Sequence, residues 1–322
     1  MKKIGLITSG GDAPGMNAAT RAVVRKALKL DYKVYGFIGG YDGVLKEEMV
    51  ELSRRSVSNI VQTGGTIIKA GRSKEFLTVE GQKKAAKILT DHHFDAFIGN
   101  GGNGTMAGMN ALSNSWDGQL IGLPGTIDND IYGCDYSIGF DTAVNTALDA
   151  IDKIRDTAFS HDRAFIIEVM GRDSGFIALE VAVAGGCEDV LIPEIPANLE
   201  KVAERFKEGK KSGKSTDIII LAEGAAEHKG ALFVSQRLKE LTDIEWRTVV
   251  IGYIQRGGSP TARDRVLATK LGFHTVDVIA EGGTGVMVGE VNKQLTLTPF
   301  EEVYTKKKLI DKFLLEMIAI VQ

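Results

Sequence analysis

The sequence predicts two doubly wound α/β domains with mainly parallel sheets, and three observations carry that expectation. Short apolar runs alternate with longer segments of helical periodicity, the pattern of βαβ units. Polar residues and glycines cluster directly after the apolar runs, at the strand ends where such sheets bind ligands. The 38 glycines in 322 residues also stand well above the roughly 7% of an average chain.

The expected strands, in order, are Lys3–Thr8, Lys33–Ile38, Phe94–Ile98, Leu120–Leu123, Ala164–Val169, Val190–Ile192, Asp217–Ala222 and Val249–Tyr253. A helix is expected to begin near Met16 and a long one near Asp141. The stripe Val144, Ala147, Leu148, Ile151 and Ile154 has helical spacing, as do Leu199, Val202, Ala203 and Phe206. The segment from Gly285 to Leu297 reads as a hairpin around Asn292. No fixed-period repeat or low-complexity tract interrupts the pattern.

Composition narrows the function. The formal net charge is −3, and no Lys/Arg stripe forms an electrostatic track for nucleic acid or a membrane surface. No apolar run approaches the ~20 residues of a membrane span, and Met1-Lys2-Lys3 leads straight into a strand pattern, not a signal peptide. Two cysteines, Cys134 and Cys187, are too few for a disulfide framework or zinc site, and the five histidines lack ligand spacing. A soluble cytosolic globular protein is expected.

Several strand-end loops could carry chemistry. Ser9-Gly10-Gly11-Asp12-Ala13-Pro14-Gly15 runs from a strand into a helix, so its N–H groups and the helix N-terminus suit an anion; an ordinary turn is the alternative. Gly99, Gly101 and Gly104 satisfy G-x-G-x-x-G, a weak match when alone. Pro124-Gly125-Thr126-Ile127-Asp128-Asn129-Asp130 offers a hydroxyl and two carboxylates for general-base work, or else a capping turn. Arg172 and Arg256 stand on glycine turns after strands, suited to phosphate, and Glu223 follows another strand. Gly209 to Ser215 imitates a Walker A loop but is one residue short and precedes a strand, so it reads as a basic helix end.

Together ITSGGDAPGMNAA, PGTIDND, DAIDKIRDTA, EVMGRDSG and QRGGSP resemble the bacterial-type ATP-dependent 6-phosphofructokinases over nearly the whole chain. The resemblance implies a phosphofructokinase-like fold, with residues 1–140 plus 254–303 as the larger, ATP-binding domain. Residues 141–253 plus 304–322 would form the smaller, sugar-phosphate domain. It implies transfer of the γ-phosphoryl group of ATP, with Mg2+, to the 1-hydroxyl of fructose 6-phosphate.

By resemblance, Gly11, Arg72, Ser73, Gly102, Asn103, Gly104 and Thr105 hold ATP, with Tyr41 near the base. Asp128 is the general base, with Thr126 and Asp130 beside it, while Arg72 and Arg172 neutralise the transferring phosphoryl group. Met170, Gly171, Glu223, Tyr253 and Arg256 line the sugar-phosphate site. Arg163 and Arg247 reach that site from a neighbouring subunit of a homotetramer. Arg21, Arg25, Arg54, Asn59, Arg155, Gly186, Glu188 and Lys214 fall in an allosteric nucleotide site. Glycine at both 104 and 125, where pyrophosphate-using relatives carry Asp and Lys, favours ATP as donor.

The chain departs from the family pattern at several places. Asn103 stands where the family has the Asp of G-G-D-G-[ST], leaving an amide oxygen to reach magnesium directly or through water. Tyr253 replaces a histidine of the sugar-phosphate site, and Asn59, Ser212 and Ser215 replace charged effector-site residues. These changes motivate two alternatives: a catalytically weak, ligand-binding paralogue, and a kinase of another sugar phosphate.

Overall fold

The structure, a computed structural model, describes residues 1–161, 163–211 and 217–321. It contains strands β1 (Lys3–Ser9), β2 (Lys33–Phe37), β3 (Met49–Glu51), β4 (Ala70–Gly71), β5 (Ala96–Gly101) and β6 (Gln119–Pro124). There follow β7 (Ala164–Val169), β8 (Asp189–Leu191), β9 (Asp217–Ala222), β10 (Trp246–Val250), β11 (Val286–Val291) and β12 (Gln294–Pro299). Two compact units result: Met1–Thr142 with Arg256–Lys308, and Ala143–Gln255 with Leu309–Gln322.

The first unit holds an eight-stranded sheet ordered β12-β11-β6-β5-β1-β2-β3, with β4 beside β1. Pairing is parallel except at the rims, where β2 meets β3 and β11 meets β12 antiparallel. Alternate side chains feed two cores. Ile4, Leu6, Ile98, Ile121 and Leu123 join one cluster, whereas Ile7, Phe97 and Leu120 join another. Helices Met16–Lys29 and Ala262–Ala280 supply the first cluster, and Asn103–Leu112 the second. Burying each such side chain contributes about 1.5–3 kcal/mol before chain entropy opposes it.

From β1 the chain moves to β2 on one side, then returns to β5 and β6 on the other. The order therefore reverses between β1 and β5, a switch point of the kind at whose C-terminal strand ends open α/β sheets bind ligands. The long helix Phe140–His161 begins in this unit, where the buried Asp264 carboxylate accepts from the Gly139 and Thr142 N–H groups, each at 2.9 Å. Burial holds that carboxyl above the usual range, although the Thr142 hydroxyl and the two N–H groups oppose the shift.

The second unit is built on a parallel sheet ordered β10-β7-β9-β8. Ile218 through Ala222 are all essentially buried, as expected of a strand covered on both faces. Helix Phe176–Ala184 is apolar around most of its surface and buries Ile177, Ala178, Leu179, Val181 and Ala182.

The last strand of this sheet corrects the sequence expectation: it covers Trp246–Val250, and Tyr253 lies in the 3-10 helix Gly252–Arg256. Among the described residues β10 pairs with β7 alone, an edge position that tolerates exposed residues such as Arg247 and Thr248. The Ser212–Ser215 part of the Walker-like stretch, including Lys214, lies outside the described residues; the helix before it, Leu199–Lys211, ends on Lys210 and Lys211. No helix among the described residues is long and apolar enough to cross a membrane.

Candidate active site

Four loops leave the C-terminal ends of neighbouring strands β1, β4, β5 and β6 in the first unit. After β1, the chain turns at Gly11 into helix Met16–Lys29, packed so closely on Arg256 that a Cβ there would fall 2.7 Å from its Nη1. The guanidinium expected in the sugar-phosphate site therefore lies against the glycine loop. Beside it, β4 pairs Ser9 with Gly71, and the next residue is Arg72, exposed. Ser73, buried, accepts from the Phe76 N–H at 3.1 Å and so starts the following turn.

After β5, Gly102 leads into helix Asn103–Leu112. Thr105 is buried and anchors this helix start to the β1 loop, its hydroxyl 3.4 Å from the Ser9 carbonyl. Tyr41, expected near the base, has its ring stacked on Phe76 at 3.8 Å and its hydroxyl donating to the Thr105 carbonyl at 2.9 Å. Only 5% exposed, it braces the helix start from within the core, and burial pushes its phenol pKa up. Gly104, by contrast, faces open space: a Cβ there meets nothing within 4 Å.

After β6, burial alternates. Ile127 and Asn129 point in, while Thr126, Asp128 and Asp130 are half-buried on the open side. Hydrogen bonds hold the turn. The Thr126 hydroxyl accepts from the Asp128 N–H at 3.2 Å, and the Ser137 hydroxyl donates to the Thr126 carbonyl at 2.7 Å. Asn129, in the left-handed region at φ 53°, accepts from the Ser137 N–H at 2.9 Å. This loop touches the one after β5 directly: the Asn103 amide donates to the Asp130 carboxylate at 3.0 Å.

Sequence reasoning missed Asn100, at the end of β5. It is fully buried, and neither atom of its amide has a hydrogen-bond partner among the described residues. A Cβ on Gly125 would lie 2.2 Å from its Oδ1 and 2.8 Å from the Met16 Cε, so a side chain at position 125 would have to displace them. The signal was an amide closing the apolar run Phe97-Ile98-Gly99. The same reading passed over Asp264, whose N-terminal capping needs a tertiary partner and leaves no local spacing to find.

In the second unit, the loop after β7 brings Met170, Gly171 and Arg172 together with Glu223, which follows β9. The Met170 N–H donates to the buried Gln255 side chain at 2.9 Å, and the Arg172 N–H to the Glu223 carboxylate at 3.1 Å. Arg172 occupies the left-handed region at φ 55°, a costly conformation for an arginine, while its guanidinium stays exposed near Asp173. Tyr253 is 78% exposed. Arg163 and Arg247 are elsewhere: Arg163 precedes β7 and Arg247 pairs with Phe165 near its start. The length of β7 separates them from Met170 by about 20 Å.

The expected effector residues divide between the units. Arg21 and Arg25 share one face of helix Met16–Lys29, where desolvation and then the charge of Arg25 lower the Arg21 pKa; Arg54 and Asn59 are exposed in the same unit. In the other unit Arg155 donates to the Gly186 carbonyl at 3.0 Å, and Glu188 accepts from the Ile218 N–H at 2.7 Å. Both cysteine thiols are buried and pushed up to about 12, which keeps them protonated.

A family model described as phosphofructokinase matches residues 3–279. A protein of Thermus thermophilus named ATP-dependent 6-phosphofructokinase 1 is 51% identical over 317 residues, spanning 98% of each chain. A phosphofructokinase structure from Saccharomyces cerevisiae matches 100% of this chain and 46% of that longer one, at TM-score 0.85 and 31% identity. A pyrophosphate-dependent phosphofructokinase structure from Marinobacter aquaeolei matches 97% of this chain and 86% of its own, at TM-score 0.85 and 26% identity. The fold is thus shared by enzymes named for different phosphoryl donors. Matched through both units by sequence as well as by fold, the chain belongs to the phosphofructokinase family.

Proposed function

We propose that the protein transfers the γ-phosphoryl group of ATP to the 1-hydroxyl of fructose 6-phosphate, giving fructose 1,6-bisphosphate in glycolysis. The observation that supports this reading is the meeting of the loops that follow β5 and β6, where the Asn103 amide donates to the Asp130 carboxylate. One presents open Gly104 at a helix N-terminus, and the other presents Asp128 and Asp130. Gly11, Arg72, Ser73, Gly102 and Thr105 would hold the nucleotide phosphates by backbone N–H groups and the exposed Arg72 guanidinium. Tyr41 would act through Thr105.

Asp128 would accept the proton of the sugar 1-hydroxyl as that oxygen attacks, with Thr126 keeping the turn in shape. Arg72 and Arg172 would offset the charge that spreads over the transferring group, where positioning and electrostatics supply most of the rate. Met170, Gly171, Glu223, Tyr253 and Arg256 remain the proposed sugar-phosphate set, Arg256 through its place on Gly11.

Magnesium fits the first unit. Asn103 Oδ1 is buried with no partner among the described residues, and the amide nitrogen of the same side chain meets Asp130. Among the described residues no cluster of three His, Cys, Asp or Glu could hold a metal, so nucleotide phosphates would supply most of its ligands. Bound there, it would neutralise phosphate charge.

Arg163 and Arg247 would serve the sugar phosphate of a neighbouring copy, in a cytoplasmic homotetramer. Arg21, Arg25, Arg54 and Asn59 of one copy would pair with Arg155, Gly186, Glu188 and Lys214 of another as an effector site. The purified protein should form fructose 1,6-bisphosphate with MgATP and far less with pyrophosphate. Product from pyrophosphate alone, or phosphorylation of a different sugar phosphate only, would overturn the reading.

A further inference from the structure

The contact between Asn103 and Asp130 joins two loops that no strand pairing joins. An ionised carboxylate only accepts hydrogen bonds, so the Asn103 amide must turn its NH2 group toward Asp130, at 3.0 Å. That choice fixes the other end: Oδ1 points away and is buried without a protein donor. The side chain is therefore pinned at one end and offers a single neutral oxygen at the other. A hard divalent cation wants about six oxygens and favours charged ones. A second carboxylate in place of the amide would put two negative charges roughly 3 Å apart, a repulsion that a cation relieves.

We propose that Asn103 is a positioning residue that holds the Asp130 carboxylate in place without metal, so that the ligand-free protein takes up no magnesium at this loop pair and the cation enters only with the nucleotide. This rests on reading the loop pair as the phosphoryl-transfer site, but its test uses neither nucleotide nor sugar. Failure here would leave the reaction assay untouched, and failure of that assay would leave this result standing.

The experiment is thermal unfolding of the ligand-free protein in metal-free buffer and in millimolar MgCl2, at ionic strength matched with KCl. The wild-type Tm should move by less than about 1 °C on adding magnesium. Asn103→Asp should melt about 2–4 °C lower without metal and regain that loss with magnesium. Asn103→Ala should melt lower in both buffers, having neither hydrogen bond nor charge. In an Asp130→Asn background, Asn103→Asp should lose its magnesium response, which a merely structural effect at position 103 would not predict. A wild-type Tm that rises with magnesium as much as that of Asn103→Asp would overturn the proposal. So would an Asn103→Asp protein indistinguishable from wild type in metal-free buffer. Should Asn103→Asp not fold, calorimetric titration of MgCl2 into the ligand-free wild type decides: saturable binding refutes the proposal and its absence supports it.

Discussion

At Gly125 the chain has no room for a side chain because Asn100 fills the space: a Cβ would meet its Oδ1 at 2.2 Å. Asn100 itself is a costly choice, a buried amide without a hydrogen-bond partner. The pair yields a double-mutant prediction. Gly125→Ala should destabilise the protein by roughly 1–3 kcal/mol, through overpacking against a rigid neighbour. Asn100→Ala should relieve most of that cost in the double variant, so the two effects should be far from additive in chemical denaturation. Strict additivity would mean that another neighbour sets the constraint. The glycine at 125 was visible in the sequence, but its physical cause was not, because residues 100 and 125 meet only through the pairing of β5 with β6.

Among the elements, those with both a period and a bounding glycine were the most legible. The strand at Ala164–Val169 and that at Asp217–Ala222 occupy their expected residues, and the hairpin turns at Asn292 and Lys293. The two-residue strand Ala70–Gly71 was not visible, since two residues carry no period; it exists because β1 offers an open edge beyond Leu6, where β2 ends its pairing. The strand expected at Val249–Tyr253 was placed too late along the chain. The ladder begins at Trp246, ahead of the apolar run, because an edge strand carries exposed polar residues such as Arg247 and Thr248 that interrupt an apolar pattern.

Asp264 shows what an element boundary costs. It accepts from the start of helix Phe140–His161 while sitting 1% exposed. Its folded pKa is raised, so the folded state binds the proton more tightly than the unfolded chain. The stability this group contributes is therefore complete below the unfolded value of about 3.9 and lost as pH rises through the folded value. Asp264→Asn cannot titrate. The Tm advantage of wild type over this variant should accordingly shrink as pH is raised from about 4 to neutrality. An advantage that grows with pH would show that the hydrogen bonds outweigh desolvation.

For the whole molecule, the decisive placement is that of Arg163 and Arg247 at the start of β7, away from Met170, Arg172 and Glu223 at its far end. Within one chain the sheet keeps the two sets apart, so a sugar site using both needs a second copy. Either Arg→Ala change should raise KM for fructose 6-phosphate by roughly 10-fold or more, the loss of a charge-assisted phosphate contact, with a smaller effect on kcat. Mixed with Asp128→Asn subunits, an Arg163→Ala protein should recover activity, because some hybrid sites draw the intact residue from each partner. No recovery after demonstrated subunit exchange would place each site within one chain. The motifs named the candidate residues, whereas the distance between these two sets follows from strand direction, which only the sheet displays.

The most direct test of the account is transfer of labelled γ-phosphoryl from MgATP to fructose 6-phosphate by wild type and Asp128→Asn, at saturating concentrations of both substrates. With Asp128 as the base, the variant should keep its affinity for both substrates and lose roughly 10²–10⁴-fold in kcat to fructose 1,6-bisphosphate. A variant that retains wild-type turnover, or a wild type that leaves fructose 6-phosphate unlabelled, would contradict it.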